Sequence, residues 1–205
     1  MAKFQCVDEL VKALQPIDPV YCFRKHSLKL SADWFNNNFP GDVLYAVKCN
    51  PTEAVVKTLI KNGIKNFDAA SIEEIKLVKK LSPESKIYFM HTVKKESSIK
   101  EAYFYHDVKA YSFDSKEELD KILKVTNNAK DLELFLRIQT SNEHSEIDLS
   151  KKFGASVNEA VSLSKIAKVK SKKFGFSFHV GSQCMHPIAY SKAIKDLGNI
   201  IKKSN

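Results

Sequence analysis

Chemistry on a carbonyl group calls for an amine that can shed its proton, and one lysine of this chain is placed for it. Lys48 stands just past the apolar run Val43-Leu44-Tyr45-Ala46-Val47, with Cys49-Asn50-Pro51 and a helical segment following. A short buried strand behind an ammonium removes some of its water and lowers its pKa. That favours the neutral amine, which attacks a carbonyl to form a Schiff base. Further chemistry-bearing residues close later apolar runs: Asp68, His91, Asp114, Arg137 and the stretch His179-Val180-Gly181-Ser182. Glu74 lies just beyond Asp68, one turn into a helical segment. A lysine, a pair of acids, an arginine and a pair of histidines around one mouth exceed what a purely structural assembly requires. Each also has a plainer reading. Asp68 and Asp114 fit as helix N-caps, Glu74 as a capping-box carboxylate, and His179 as a satisfied core histidine. Arg137 fits as a surface residue and Gly181-Ser182 as an ordinary turn, and most lysines are simply solvated.

An alternation of strands and helices would bring these residues together. Apolar runs at Val43–Val47, Asn66–Ala69, Ile87–Met90, Ala110–Phe113, Leu132–Ile138 and Phe174–Val180 read as strands. Helical spacing falls between and after them, at Thr52–Lys61, Ser71–Leu81, Lys94–Tyr105, Ser115–Thr126, Val157–Lys168 and Pro187–Lys202. Ser71-Ile72-Glu73-Glu74 and Ser115-Lys116-Glu117-Glu118 read as capping boxes. Ahead of the series, Val7–Leu14 reads as a short amphipathic helix and Pro19–Phe23 as a strand. Ser27–Asn37 reads as a helix that ends before Pro40-Gly41. Successive β-then-α units build a parallel sheet with helices outside. Right-handed crossovers curl that sheet toward a barrel whose chemistry sits at the carboxyl ends of the strands. A closed barrel of this kind has about eight units. The chain shows about six, so the expected fold class is α/β, an incomplete (β/α)8 TIM-type barrel.

Composition narrows the function classes. The formal charge of +9 would ordinarily raise nucleic acid as a partner. Of the 33 basic residues, however, only Arg24 and Arg137 are arginine, the residue suited to bidentate base and phosphate contacts. The lysines are spread along the whole chain, so nucleic acid is not expected. The four cysteines (Cys6, Cys22, Cys49, Cys184) form no CxxC pair, and the six histidines show no ligand spacing. A reducing compartment and no metal site are therefore expected. Met1–Leu14 contains Asp8 and Glu9 and is no signal peptide, and no run approaches the ~20 apolar residues that span a bilayer. The expectation is a soluble cytoplasmic protein without membrane association.

Read in order, the strand-end segments resemble a known family. They are Tyr45-Ala46-Val47-Lys48-Cys49-Asn50, Phe67-Asp68-Ala69-Ala70-Ser71 with Glu74-Ile75, Ser112-Phe113-Asp114-Ser115, Leu136-Arg137-Ile138, Lys152-Phe153-Gly154 and Phe178-His179-Val180-Gly181-Ser182. In order and spacing these resemble the N-terminal barrel of the ornithine/diaminopimelate/arginine decarboxylases of the alanine-racemase fold type, the ornithine enzymes most of all. The resemblance runs from Pro19 onward. It implies pyridoxal 5'-phosphate as cofactor, with Lys48 as its covalent anchor and catalytic amine. It places Glu74 against the pyridine nitrogen, Asp68 beside the lysine amine, and Arg137 near the polar edge of the ring. His179 would stack on the ring face as the second catalytic residue, and Ser182 would donate to the phosphate.

The resemblance divides the chain into residues 1–24, a helix and strand leading in, and residues 25–205, a partial pyridoxal-binding β/α barrel. Gln183 and Thr92 depart from the eukaryotic pattern without touching the proposed chemistry. All six glycines are isolated, so no glycine-rich loop wraps the phosphate in backbone N–H groups. The family's Glu-Pro-Gly-Arg segment, its distal-amine acids, its Cys-Asp pair and its C-terminal β-domain are absent too. The implied activity is decarboxylation of a basic amino acid, L-ornithine to putrescine in polyamine synthesis. The chain would be an N-terminal fragment or one piece of a split enzyme, inactive alone. Its partners would be the amino-acid substrate and either a complementary C-terminal chain or a second copy in a homodimer. The alternatives are a non-catalytic decarboxylase-like binding protein, a lysine, arginine or diaminopimelate decarboxylase fragment, and a small pyridoxal-carrier barrel.

Overall fold

The computed structural model describes residues 3–140 and 152–204. Two helices lead, α1 (Val7–Leu14) and α2 (Lys25–Asn38), followed by β1 (Leu44–Ala46), α3 (Glu53–Lys61), β2 (Asn66–Ala69) and α4 (Ile72–Leu81). Then come β3 (Lys86–Phe89), α5 (Glu96–His106), β4 (Ala110–Phe113), α6 (Lys116–Val125), β5 (Glu133–Arg137), α7 (Val157–Lys170), β6 (Lys173–Ser177) and α8 (Ile188–Ser204). The strands form one sheet in sequence order, every pairing parallel. This is an open segment of a β/α barrel.

The period of two along each strand sorts the side chains onto two faces. Phe67, Ala69, Ile87, Phe89, Tyr111, Phe113, Leu134 and Leu136 point toward the helices and are buried. They meet Val55, Val56, Ile75, Val78, Ile99, Leu119 and Ile122 in one continuous core. Burying a side chain of this size is worth about 1.5–3 kcal/mol, so this outer layer carries most of the stability. The opposite face carries the polar set. Register places Asp68 beside Tyr88, Tyr88 beside Ala110, Ser112 beside Phe135, and Arg137 beside Ser177. Side chains from β3 and β5 meet across β4 on this face. The Tyr88 and Phe135 rings lie 5.7 Å apart, and Lys86 Nζ donates to both carboxylate oxygens of Glu133 at 2.8 Å. Contact over an intervening strand requires a sheet curved inward, as in a barrel, and the small Ala110 leaves room for it.

Several boundaries differ from the sequence reading. The Pro19–Phe23 stretch joins no strand, and Tyr21 within it is fully exposed. Without a neighbour to complete its hydrogen bonds an extended segment gains nothing from strand geometry. The first barrel strand is shorter than its apolar run, because Val47–Cys49 turns into a single 3-10 turn. Ser71 and Ser115 do accept the backbone N–H groups of Glu74 and Glu118, at 3.3 and 3.2 Å. Neither box is reciprocal: Glu74 reaches the N–H of Ala70 and Glu118 that of Lys94. The complete box is at Ser156 and Glu159, which starts α7.

The connection into α7 docks on the end of β5. Ala155 N donates to Arg137 O and Gln139 N to Ala155 O, both at 2.9 Å. Gly154 takes φ +100°, and a Cβ there would lie 2.6 Å from Gln139 N and 2.7 Å from Ile138 C, both immovable backbone atoms. Gly154→Ala is expected to destabilise by about 3 kcal/mol in urea unfolding. A Cβ added at Gly198 in α8 would meet no other part of the molecule within 4 Å, and Gly198→Ala is expected to stabilise by about 0.5–1 kcal/mol in the same assay.

Candidate active site

The strand carboxyl ends bring the sequence-predicted residues to one side of the sheet. Lys48 sits in the 3-10 turn after β1, Asp68 is on β2, His91 follows β3, Asp114 follows β4, Arg137 closes β5 and His179 follows β6. Asp68 and Arg137 share the concave face by register and lie in each other's field, and Asp68 also lies in the field of Lys48. The Arg137 guanidinium lies 5.0 Å from the Phe153 ring, with Lys152 Nζ at 5.3 Å from the same ring. His91 meets that ring edge-on at 5.9 Å. Phe153 is thus the shared surface of the β3 and β5 rim, a role the sequence reading did not give it. Aromatic faces attract cations, but only contact in space shows which cations reach this one.

Local hydrogen bonds settle several plainer readings. Asp68 and Asp114 are not helix caps, since Ser71 and Ser115 hold those positions. Asp114 Oδ2 instead accepts the N–H of Gly154 at 2.9 Å and so ties the β4 end to the loop before α7. Glu74 Oε2 accepts the N–H of Ala70 at 2.9 Å, which holds its carboxylate over the first turn of α4, within the field of Asp68. His179 Nδ1 accepts the N–H of Gly181 at 2.9 Å, and Gly181 bends the chain with φ +96°. A neutral His179 therefore carries its proton on Nε2. Thr140 Oγ1 donates to His179 O at 2.8 Å, which anchors the stretch that also bears the half-buried Ser182.

The electrostatics follow from partial burial among cations. Desolvation raises the Asp68 pKa; Lys48 and Arg137 oppose this and Glu74 reinforces it. Burial lowers the His179 pKa, and Arg137 and Lys48 lower it further. His91 is lowered by burial, by Lys94 and by Arg137, against the field of Glu118. Both histidines are therefore held toward their neutral forms. Lys48 itself is exposed, so the desolvation expected from the strand behind it is not met within this chain. Among the described residues no direct ion pair joins it to Asp68.

Two surface grooves of about 590 and 580 Å3 lie among the outer helices, lined by residues such as Leu123 and Ile166 or Phe23 and Lys57. Neither is lined by the strand-end residues. The buried hydroxyls of Ser112 and Ser177 on the concave face find no hydrogen-bond partner. Ser177 stands beside Arg137 in register. A small polar ligand with an anionic arm suits this set: an amine at the rim, a guanidinium, neutral imidazoles and unpartnered hydroxyls. Pyridoxal phosphate has that chemistry, and the residues present fit it. Among the described residues no cluster of His, Cys, Asp and Glu could hold a metal ion. No helix among them is long and apolar enough to cross a membrane.

Residues 25–205 match the family model described as pyridoxal-dependent decarboxylase, pyridoxal binding domain. The chain belongs to the pyridoxal-dependent decarboxylases. The matched region is their cofactor-binding domain, and the cofactor is pyridoxal phosphate. The lysine/ornithine decarboxylase of Selenomonas ruminantium is 32% identical over 186 residues, which span 90% of this chain and 44% of that one. Antizyme inhibitor 2 of Xenopus laevis is 41% identical over 155 residues, 74% of this chain and 33% of that one. The crystal structure of the Paramecium bursaria Chlorella virus arginine decarboxylase bound to agmatine superposes with a TM-score of 0.86 at 33% identity. That superposition covers 97% of this chain and 53% of the other. The chain thus spans a third to a half of the length of these relatives. The fold read from the sequence is the N-terminal barrel portion of such decarboxylases.

Asp68 gives a test of the site's electrostatics. Its raised folded pKa means that the native state binds more protons than the unfolded state just above the ordinary carboxylate range, so its contribution to stability falls as pH rises through that window. Asp68→Asn is therefore expected to raise the melting temperature at pH 7, by about 2 °C. The gain should shrink as pH falls through the ordinary carboxylate range and vanish well below about pH 3.9, where the carboxyl is neutral in both states. Differential scanning calorimetry across pH checks this.

Proposed function

We propose that this chain is the cofactor-binding part of a decarboxylase acting on a basic amino acid, with L-ornithine as substrate and putrescine as product. The observation that carries the proposal is that Lys48 and Arg137 both act on Asp68 and on His179 at the strand ends of a pyridoxal-binding domain. The preference for ornithine rests on the ordered strand-end motifs and on relatives named for ornithine decarboxylation.

Each residue has a task its position supports. Lys48, exposed at the strand ends, would provide the amine that holds the cofactor and would be reachable by an incoming amino acid. Asp68 shares its field and holds a proton more readily than an ordinary carboxylate, which suits it to proton exchange with an amine. Glu74, fixed by Ala70 N–H, would keep a proton on the ring nitrogen. His179, locked by Gly181 N–H, would support one face of the ring, with Arg137 at its polar edge and Ser182 on the phosphate. Bound pyridoxal phosphate supplies the electron sink for the pair left behind when the carboxyl group departs as carbon dioxide. Groups gripping the substrate's distal amine are proposed to come from outside these residues.

A binding-protein reading has one observation in its favour, the 41% identity to a protein named an antizyme inhibitor. The retention of Lys48, Asp68, Glu74 and His179 favours the enzyme. Incubation with pyridoxal phosphate and borohydride, followed by peptide mapping, is expected to place the cofactor on Lys48. Lys48→Ala should abolish the label, and Glu74→Gln should weaken cofactor binding about tenfold. Labelling spread over surface lysines, unchanged by Lys48→Ala, would refute the assignment.

A further inference from the structure

The weakest seam of the sheet lies between β3 and β4. Their ladder has two register positions, Tyr88 with Ala110 and Phe89 with Tyr111, whereas β2–β3 and β4–β5 have four each. Past the last rung Lys94 takes over. Its Nζ donates to the carbonyls of His91 at 2.8 Å and Ser112 at 2.6 Å and pairs with Glu118 Oε1 at 2.8 Å. The ammonium thereby commits all three of its protons to fixed acceptors. Its side chain is 0% exposed and that of Glu118 4%. Glu118 Oε1 also accepts the N–H of Lys94 at 3.2 Å, and Glu118 Oε2 meets Lys121 Nζ.

Such a pair is a poor stabiliser on its own account. Desolvating both charges costs several kcal/mol, and an apolar pair of equal volume is often as stable. What this pair does is fix a short loop. Residues 90–95 connect β3 to α5 with Val93 exposed, and the ammonium grips the loop at the carbonyl of His91. Within the loop His91 Nδ1 accepts the N–H of Val93 at 3.0 Å, which leaves the proton of a neutral ring on Nε2. That ring stands against Phe153, whose face also carries Arg137.

We propose that Lys94 is a positioning residue of the cofactor site. Clamped by Glu118, its ammonium stands in for the missing β3–β4 rungs and holds His91 at the rim, beside Phe153 and Arg137, as an Nε2–H donor. The proposal rests on the cofactor site described above. The charges that bear on His91 are Lys94, Arg137 and Lys48, which favour the neutral ring, and Glu118, which opposes them. Lys94 is in turn faced by Glu118, Lys121 and Asp114, and burial brings its own pKa down to about 8.

Two readouts test this on the 205-residue chain with 15N-labelled histidine. Without cofactor, His91 of the wild type should show a single Nε2–H tautomer at neutral pH. The paired variant Lys94→Met, Glu118→Leu removes both charges together. It should stay folded, show mixed His91 tautomers and bind pyridoxal phosphate about tenfold more weakly by absorbance titration. If that variant does not fold, Lys94→Gln, which keeps N–H donors but not the charge, should show the same losses in smaller measure. A folded variant with an unchanged His91 tautomer, or with a changed tautomer and unchanged cofactor affinity, overturns the proposal. Failure of the wild-type chain to bind pyridoxal phosphate would instead refute the functional reading, while the tautomer comparison would still decide how His91 is held.

Discussion

The alternation of side chains along parallel strands constrains everything else in this molecule. Because successive residues face opposite sides, Phe67 and Ala69 are committed to the helices and Asp68 to the concave face. Arg137 follows the same rule between Leu136 and Ile138. A slip of one residue in β2 or β5 would drive the charge of Asp68 or Arg137 into the helix-facing core and carry an apolar side chain to the site. The tight apolar packing on the outer face thus holds the functional residues in register on the inner one. Stability and chemistry are separated by face within single short strands.

The polar face is held under strain of an electrostatic kind. Asp68 keeps a carboxyl in a partly desolvated place, and Arg137 and the two histidines are penalised by burial there as well. Together with the unpartnered hydroxyls of Ser112 and Ser177, this is an arrangement poorly satisfied by the chain alone. Binding sites commonly carry such local costs, offset by packing elsewhere. Here the offset comes from the core between sheet and helices.

Much of this was legible in one dimension. Strands β2 and β4 fall on the residues that the apolar runs mark, and the helices start and stop within a few residues of their expected ends. Local rules suffice there, since a buried parallel strand between amphipathic helices is specified by its own composition. Pro19–Phe23 shows the limit: its β-branched and aromatic content is real, but strand formation needs a neighbour it does not have. The capping boxes show another. Ser71 and Ser115 cap as expected, yet the carboxylates three residues on are drawn away, Glu118 to a lysine in a different loop.

From the sequence alone came the α/β class, the order of the units, the strand-end residues Lys48, Asp68, Arg137 and His179, and the family they resemble, because each depends on neighbours close in the chain. Tertiary structure decided which of those residues feel one another's charge, that Lys48 stays exposed, that Phe153 joins His91 to Arg137, and that Lys94 and Glu118 bury their charges together. Such facts depend on distances between residues dozens of positions apart, and on how much water the folded chain leaves around each group. No local pattern of residue types encodes either quantity.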